Sequence, residues 1–342
     1  MMNEERFLNT LQKLMAIDSV TGDYHAIQDY LVKWFEERGV KTQTLRKGGV
    51  FAEVGGEGHP LVLTAHADTI GLMVRHIEKD GSIKVVAVGG LYAYHCDQEN
   101  VRIRTSEGKI YTGTIRRREP SVHVTTDEKW DEVADFAKNV IVTLDEEVKS
   151  AEDVRALGIE IGDYVSLDPR FTFENGYIKS RFIDDKVLLA IMMEAVEAMK
   201  EQGIKPSRKV TYLVAMYEEI GHGGSVVPAD CEDFVAMDIA CIGPEQTSSE
   251  KKVSIFCKDS RYPYHIDIVS ELVAAAKAAD AGYVKDILTP HYGTDADPAL
   301  NAGNDIRHGA FGPGVVASHG YERTHMDGVK NTYELLMKYI TL

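Results

Sequence analysis

Two short patterns in this chain carry side chains that bind metals or move protons. His66-x-Asp68 follows the apolar run Leu61-Val-Leu-Thr-Ala65, and Glu218-Glu219 follows Thr211-Tyr-Leu-Val-Ala-Met-Tyr217. Each run reads as a buried strand, so each pattern falls just past a strand end, the edge at which open α/β sheets bind ligands. In the first pattern His66 would ligate a metal while Asp68 hydrogen-bonds its other ring nitrogen and fixes the tautomer. In the second, two adjacent acids leave the strand in different directions, so one can be a ligand and the other a base acting on water. The turn that follows, Ile220-Gly-His-Gly-Gly-Ser225, lets backbone approach the site. It lacks the Gly-Lys-Ser/Thr of a phosphate-binding loop.

Three later positions extend the set. Asp184-Asp185-Lys186 opens the apolar stretch Val187, Leu188, Leu189, Ile191, Met192. One aspartate there would serve as an N-cap; a second exceeds what capping needs and can bridge metals. Asp238 is a lone acid inside Phe234-Val-Ala-Met-Asp-Ile-Ala-Cys-Ile242. Burying it unpaired would be prohibitive, so a cation or a strand-end position is required. His325, in Arg323-Thr-His-Met326, competes with His319 and His222, and position alone does not choose among them. The bland reading of each piece is a capping acid, a solvated loop or a satisfied histidine. Together the pieces point to a two-metal hydrolase.

The elements that must position these groups are legible in outline. Phe7, Leu11, Leu14 and then Ile27, Leu31, Trp34, Phe35 recur at helical spacing, closed by Gly39. Strands are predicted at residues 50–54 and 61–65. From about Ile70 to Leu167 short period-two strands separated by Gly-containing turns take over, as in Asn100-Val-Arg-Ile-Arg-Thr105 and Lys109-Ile-Tyr-Thr-Gly-Thr-Ile115, with others at 82–88, 140–144 and 163–167. Thereafter a helix is predicted over 186–202, strands over 210–217 and 234–242, a helix over 270–281 and a last one over 332–339. The fold class is therefore α/β: a mixed-sheet catalytic domain in two parts, 1–69 and 168–342, with a β-rich domain, 70–167, inserted after the His-x-Asp strand. His76, His95 and His123 in the insert have no partner acids at ligand spacing and read as structural or exposed.

Length and charge narrow the function classes. At 342 residues the chain exceeds what one core usually holds. A net charge of −16, from 38 Lys+Arg against 54 Asp+Glu, disfavours nucleic acid and anionic membranes as partners. The first residues show no signal-peptide pattern, and the apolar stretch 187–196 is too short to span a bilayer and contains Glu194. Cys96, Cys231, Cys241 and Cys257 show no C-x-x-C spacing and read as reduced thiols of a cytoplasmic protein.

The ordered set His66-x-Asp68, Asp184-Asp185, Glu218-Glu219-x-Gly-x-x-Gly, Asp238 and a late His325 resembles the tetrahedral (TET) and glutamyl aminopeptidase family of di-metal peptidases, from about Asn3 to Ile340. Gly293-Thr294-Asp295-Ala296 resembles that family's loop near the substrate. Asp184 follows Asp68 by 116 residues; related di-zinc carboxypeptidases leave only a few tens of residues there and carry their extra domain later. The resemblance implies one metal on His66, Asp184 and Asp238 and a second on Asp184, Glu219 and His325, with Asp184 bridging and Glu218 as the base. It implies Thr294 and Asp295 at the substrate, and two divalent ions, most simply zinc, with cobalt or manganese compatible. It also implies peptide substrates, and dimers assembled into a homododecamer through the inserted domain, which would also control access. One departure stands out: the family often has Arg-Tyr-x-His-Ser before the last ligand, and alignment on the histidine puts Glu322 where the arginine would be. The preferred N-terminal residue is not legible.

The expected reaction is metal-assisted amide hydrolysis at a free N-terminus. A polysaccharide hydrolase of the cellulase kind would use two carboxylates and no metal, and the histidines among the acids speak against it. A catalytically silent metal-binding scaffold has no need of Glu218.

Overall fold

The computed structural model describes residues 2–126, 129 and 131–342. The chain begins with two amphipathic helices. In α1 (Glu4–Met15) Asn3 caps the N-terminus by accepting from Arg6 N at 3.1 Å, and Phe7, Leu11, Leu14 and Met15 form the buried stripe. In α2 (His25–Glu36) the stripe is Ile27, Leu31, Trp34 and Phe35, and Gly39, at φ +77°, turns the chain after it. Strands β1 (Lys41–Thr44), β2 (Val50–Gly55) and β3 (Pro60–His66) follow. Five consecutive β3 residues, Leu61 to Ala65, are buried on both faces, which explains a run without alternation.

Residues Ile70–Pro169 form a compact unit of their own. Strands β4 (Gly71–Ile77), β5 (Ile83–Val88), β6 (Glu99–Arg104), β7 (Ile110–Arg117), β8 (Val140–Leu144) and β9 (Tyr164–Leu167) close into a barrel in the order β4-β5-β8-β7-β6-β9. Closure removes the sheet edges. Val101 and Ile103 of β6 point inward between more exposed neighbours, the alternation visible in the sequence. Gly113 is required in β7, because a Cβ there would stand 2.5 Å from the Thr143 carbonyl oxygen of β8. The short helix α3 (Ala151–Ala156) is capped by Ser150, which accepts from Asp153 N at 3.1 Å.

The remaining elements, with residues 1–69, make the second compact unit, Met1–Thr69 plus Arg170–Leu342. They are β10 (Thr172–Glu174), β11 (Tyr177–Ser180), α4 (Ile183–Gln202), β12 (Lys209–Ala215), β13 (Asp233–Met237), β14 (Ala240–Cys241), β15 (Val253–Lys258), α5 (Ile266–Ala278), β16 (Tyr283–Ile287), α6 (Ala296–Asn301), β17 (Arg307–Val315), β18 (Glu322–His325) and α7 (Met326–Thr341). The main sheet runs β1-β2-β12-β3-β13-β17-β15-β16, with β14 attached to β17. Its centre, β12-β3-β13-β17, is parallel, while β2 and β15 flank it antiparallel. The fold is thus a mixed-sheet α/β domain plus a β-rich barrel unit.

Helix α4 is apolar all round over its stretch 187–193. Val187, Leu188, Leu189, Ala190, Ile191, Met192 and Met193 are each at most 1 % exposed, the mark of a central helix rather than a surface one. Each of its large side chains contributes about 1.5–3 kcal/mol on burial. Lys186 at its start is buried too, and its ammonium donates to the carbonyls of Leu14 (3.0 Å) and Ile17 (2.7 Å).

Several boundaries differ from the sequence reading, each for a local reason. The predicted strand 234–242 stops at Met237, because Asp238 marks the strand end and the chain resumes pairing with β17 only at Ala240. The strand expected to run to Tyr217 stops at Ala215; Tyr217 is left-handed at φ +69°, which turns the glutamates out of the sheet. The helix expected over 270–281 starts at Ile266 behind a His265 cap, and the last helix extends to 326–341. No helix among the described residues is long and apolar enough to cross a membrane.

Candidate metal centre

Parallel strands deliver the candidate ligands to one edge. In the β3–β12 ladder His66 stands opposite Ala215, so the chain leaving β12 reaches Glu218 and Glu219 beside the end of β3. Asp238 leaves β13 next to it, and the loop 316–321 leaves β17. Gly312 permits the close approach, since a Cβ there would lie 1.9 Å from the Asp238 carbonyl oxygen.

His66 is 2 % exposed, and the bond at one ring nitrogen sets its chemistry. Nδ1 lies 2.9 Å from the Asp68 backbone oxygen, which can only accept. A neutral ring therefore carries its proton on Nδ1 and turns the Nε2 lone pair outward. Nε2 faces Asp184 Oδ1 at 3.1 Å and Glu218 Oε2 at 3.7 Å. The Asp68 carboxylate, expected to fix this tautomer, is farther from Nδ1, at 3.5 Å. It accepts instead from Thr21 Oγ1 (2.6 Å), Glu218 N (3.2 Å) and Glu219 N (3.4 Å). Asp68 thus anchors the turn that carries both glutamates.

Asp184 and Asp185 precede the regular part of α4 and depart from helical backbone, at φ −70°, ψ 105° and φ −119°, ψ 20°. Neither spends its carboxylate on capping. Asp184 Oδ1 meets His66 and Oδ2 accepts from Ser318 Oγ at 3.2 Å. Asp185 Oδ2 accepts from His66 N at 3.1 Å, and its Oδ1 is buried with no hydrogen-bond partner among the described residues. His66, Asp184 and Asp238 each present a ligand atom within 4.8 Å of the others, and all three are buried. They form a candidate metal site.

The second group gathers on the other oxygen of Asp184. His319 Nε2 lies 3.3 Å from Glu219 Oε2 and 3.7 Å from Asp184 Oδ2. His325, the sequence choice for this place, is elsewhere. β18 pairs antiparallel with β11 so that Glu322 faces Ser180 and His325 faces Tyr177. The chain leaves Ser180 for Asp184, so the Glu322 end of β18 is the near end and His325 sits three residues off, ~10 Å along a strand. Its ring packs edge-on against Tyr177 at 4.7 Å, and Nδ1 accepts from Asp327 N at 3.0 Å, capping α7. His222 is exposed and bonds Ser225.

Asp295 is buried beside the Gly-rich turn. Its Oδ2 accepts from Thr64 Oγ1 at 3.1 Å, and Oδ1 has no hydrogen-bond partner among the described residues. A Cβ on Gly223 would come within 2.3 Å of that Oδ1, which is why the turn needs glycine there. Thr294 does not present its hydroxyl to the site; Oγ1 meets Tyr264 Oη at 3.0 Å and accepts from Ala296 N at 3.3 Å. It shapes the loop that carries Asp295.

Charge in the cluster is lopsided. Burial pushes Asp185, Glu218 and Asp238 well above the ordinary carboxyl range, lifts Glu219 as well, and brings Asp295 up to about 7. Burial acts on Asp184 too, but its bond to the His66 imidazole and the charges of His66 and His319 outweigh it and hold the pKa below the usual value. Burial opposes a charged His66, yet Asp184, Asp68 and Glu218 raise it well above normal; against the same opposition Glu219 and Asp184 lift His319 to about 11. Two imidazoles thus face Asp184, Asp185, Glu218, Glu219, Asp238 and Asp295. Divalent cations on the histidine nitrogens and carboxylate oxygens would offset that excess, and the donor types suit them. The residues present fit a pair of such ions.

The sequence reading preferred His325 to His319, noted Glu322 only as a departure from the family motif, and did not single out Thr21 or Ser318. Ala317 and His319, at φ +60° and +63°, form a tight turn between β17 and β18. A turn after a parallel strand falls at the ligand-binding edge, and the Ser-His-Gly at 318–320 was the available signal.

Residues 48–335 match the M42 glutamyl aminopeptidase family. The chain is 37% identical over 344 residues to YhfE of Bacillus subtilis (strain 168), covering 99% of each. Among solved structures it resembles a TET aminopeptidase from the marine sediment archaeon Thaumarchaeota archaeon SCGC AB-539-E09 (TM-score 0.88, 18% identity, 99% of this chain and 97% of the other). It also resembles the Pyrococcus horikoshii TET1 peptidase, which can assemble into a tetrahedron or a large octahedral shell (TM-score 0.85, 20% identity, 98% and 99%).

Proposed function

This chain belongs to the M42 glutamyl aminopeptidase family, and from that membership we propose a two-cation aminopeptidase that removes N-terminal residues from peptides. The observation that carries the reading is the convergence of His66, Asp184 and Asp238 with Glu218, Glu219 and His319 at one sheet edge. His66 Nε2, Asp184 and Asp238 would hold one ion, and Asp184, Glu219 and His319 the other. Bound there, the ions polarise the scissile carbonyl and make water acidic enough to attack near neutral pH.

The protein's own groups do the rest. Glu218, its side chain 15% exposed where that of Glu219 is 2%, takes a proton from the attacking water and returns it to the leaving amine. Burial raises its pKa, which suits both halves of that task. Asp68 keeps the carboxylate in place through the backbone of the turn. Asp295 Oδ1, buried and without a partner among the described residues, accepts the substrate's α-ammonium. That contact restricts cleavage to free N-termini.

Zinc fits the His-carboxylate set best, with cobalt or manganese compatible. Four free cysteines favour a reducing, cytoplasmic setting. By likeness to the TET assemblies we assign a homo-oligomer of dimers, a dodecamer, with the barrel unit as its assembly and access module; a monomeric mass by light scattering would remove this assignment.

The test is a panel of aminoacyl-p-nitroanilides, each with its N-acetylated counterpart, after chelation and re-addition of single metals. Activity should vanish on chelation, return with metal, and be absent on acetylated substrates. Chelator-insensitive activity, or hydrolysis of a glucan instead, would sink the reading.

The choice of histidine has its own test. His319→Ala should lower the affinity of one ion and cut activity by at least tenfold, whereas His325→Ala should keep both ions and lose only cap stability, about 1 kcal/mol. The reverse pattern, read by metal analysis, would restore His325 as the ligand.

A further inference from the structure

The carboxylate of Glu322 is divided between the backbones of two candidate ligands. The residue is 1% exposed. Oε2 accepts from the backbone N of Asp184 at 3.1 Å, and Oε1 accepts from the backbone N of His319 at 3.0 Å. Both donors sit in irregular backbone: Asp184 is non-helical despite lying at the head of α4, and His319 is left-handed at φ +63°. Neither N–H bond is replaced by a helix or strand ladder. Ser318 Oγ adds a third tie, to Asp184 Oδ2 at 3.2 Å.

We propose that Glu322 is a positioning residue that sets the affinity of the second cation site by holding the main chains of Asp184 and His319 on one carboxylate. The inference rests on the two-cation reading. Two ligands of the Asp184–Glu219–His319 site are braced by Glu322, against one, the shared Asp184, of the His66–Asp184–Asp238 site. Loss of the brace therefore weakens the two sites unequally. Groups that orient a ligand commonly change metal affinity about 10–100-fold. Glu322→Gln keeps one acceptor oxygen but turns an NH₂ toward the second N–H, so it breaks one bond and retains the other.

Zinc titration of the protein against a chromogenic chelator, for wild type, Glu322→Gln, Glu322→Ala and the surface control Glu57→Ala, an exposed residue of the loop after β2, tests this. Wild type and Glu57→Ala should bind two ions. Glu322→Ala should lose about 10–100-fold in affinity at one site and less at the other, with a smaller loss in Glu322→Gln. At saturating zinc kcat should recover with KM unchanged, which loss of a substrate contact would not allow. Equal losses at both sites, or undiminished affinities in a folded variant, would overturn the proposal. The near-isosteric Gln variant carries the same comparison should Ala fail to fold. A wild type that binds fewer than two ions would instead remove the two-cation reading itself.

Discussion

Glu218→Gln should leave the protein folded and able to bind both cations while kcat falls by about 10²–10⁴-fold. Glutamine has the shape of glutamate but cannot accept and return a proton. The loss corresponds to about 3–5 kcal/mol of transition-state stabilisation. The placement of Glu218 supports this division of labour. Its Oε2 is 3.7 Å from His66 Nε2, near the ligand cluster, while Glu219 Oε2 is 3.3 Å from His319. The backbone N of Glu218 is held by Asp68, so the variant keeps its turn. KM should change little, because the contact assigned to the substrate amine lies on Asp295. Metal analysis beside steady-state kinetics decides the matter. If metal content falls together with activity, the roles of Glu218 and Glu219 are exchanged.

The two glutamates were legible because adjacent acids at the end of a buried strand must be solvated, paired or bound to a cation. Asp238 was legible for a related reason: one acid in an apolar run must end the strand or meet a cation, and it does end the strand. His66 was singled out by the same strand-end logic, though its Nδ1 faces the backbone oxygen of Asp68, which no residue type reveals. His319 was legible only as one of three competing histidines. Choosing it over His325 depends on the β11–β18 register, a pairing of segments far apart in sequence. Glu322 stood out only as a departure from the family motif; its partners, the backbone N–H groups of Asp184 and His319, follow from where its strand is placed. In the barrel unit, alternation marked individual strands, whereas the order β4-β5-β8-β7-β6-β9 comes from non-local pairing. Local pattern reveals what one segment must bury; it is silent on which segments meet.

Asp184→Asn should abolish activity by lowering the affinity of both cations, the largest effect expected of any single substitution here. Asp184 is the shared member of the two groups: Oδ1 lies 3.1 Å from His66 Nε2, and Oδ2 lies 3.7 Å from His319 Nε2. Asparagine replaces one oxygen with an NH₂ that donates, so whichever way the amide turns, one group loses an acceptor. The negative charge is removed from both. Asp238→Asn alters only the His66 group and should weaken chiefly one ion, leaving the Glu219–His319 pair intact. The contrast between the two variants is therefore more telling than either alone. Thermal melting without added metal guards against misreading a fold defect, because Asp184 N remains bonded to Glu322 in both proteins. If Asp184→Asn keeps one cation at wild-type affinity while losing the other, Asp184 serves a single site and the bridging geometry must be abandoned.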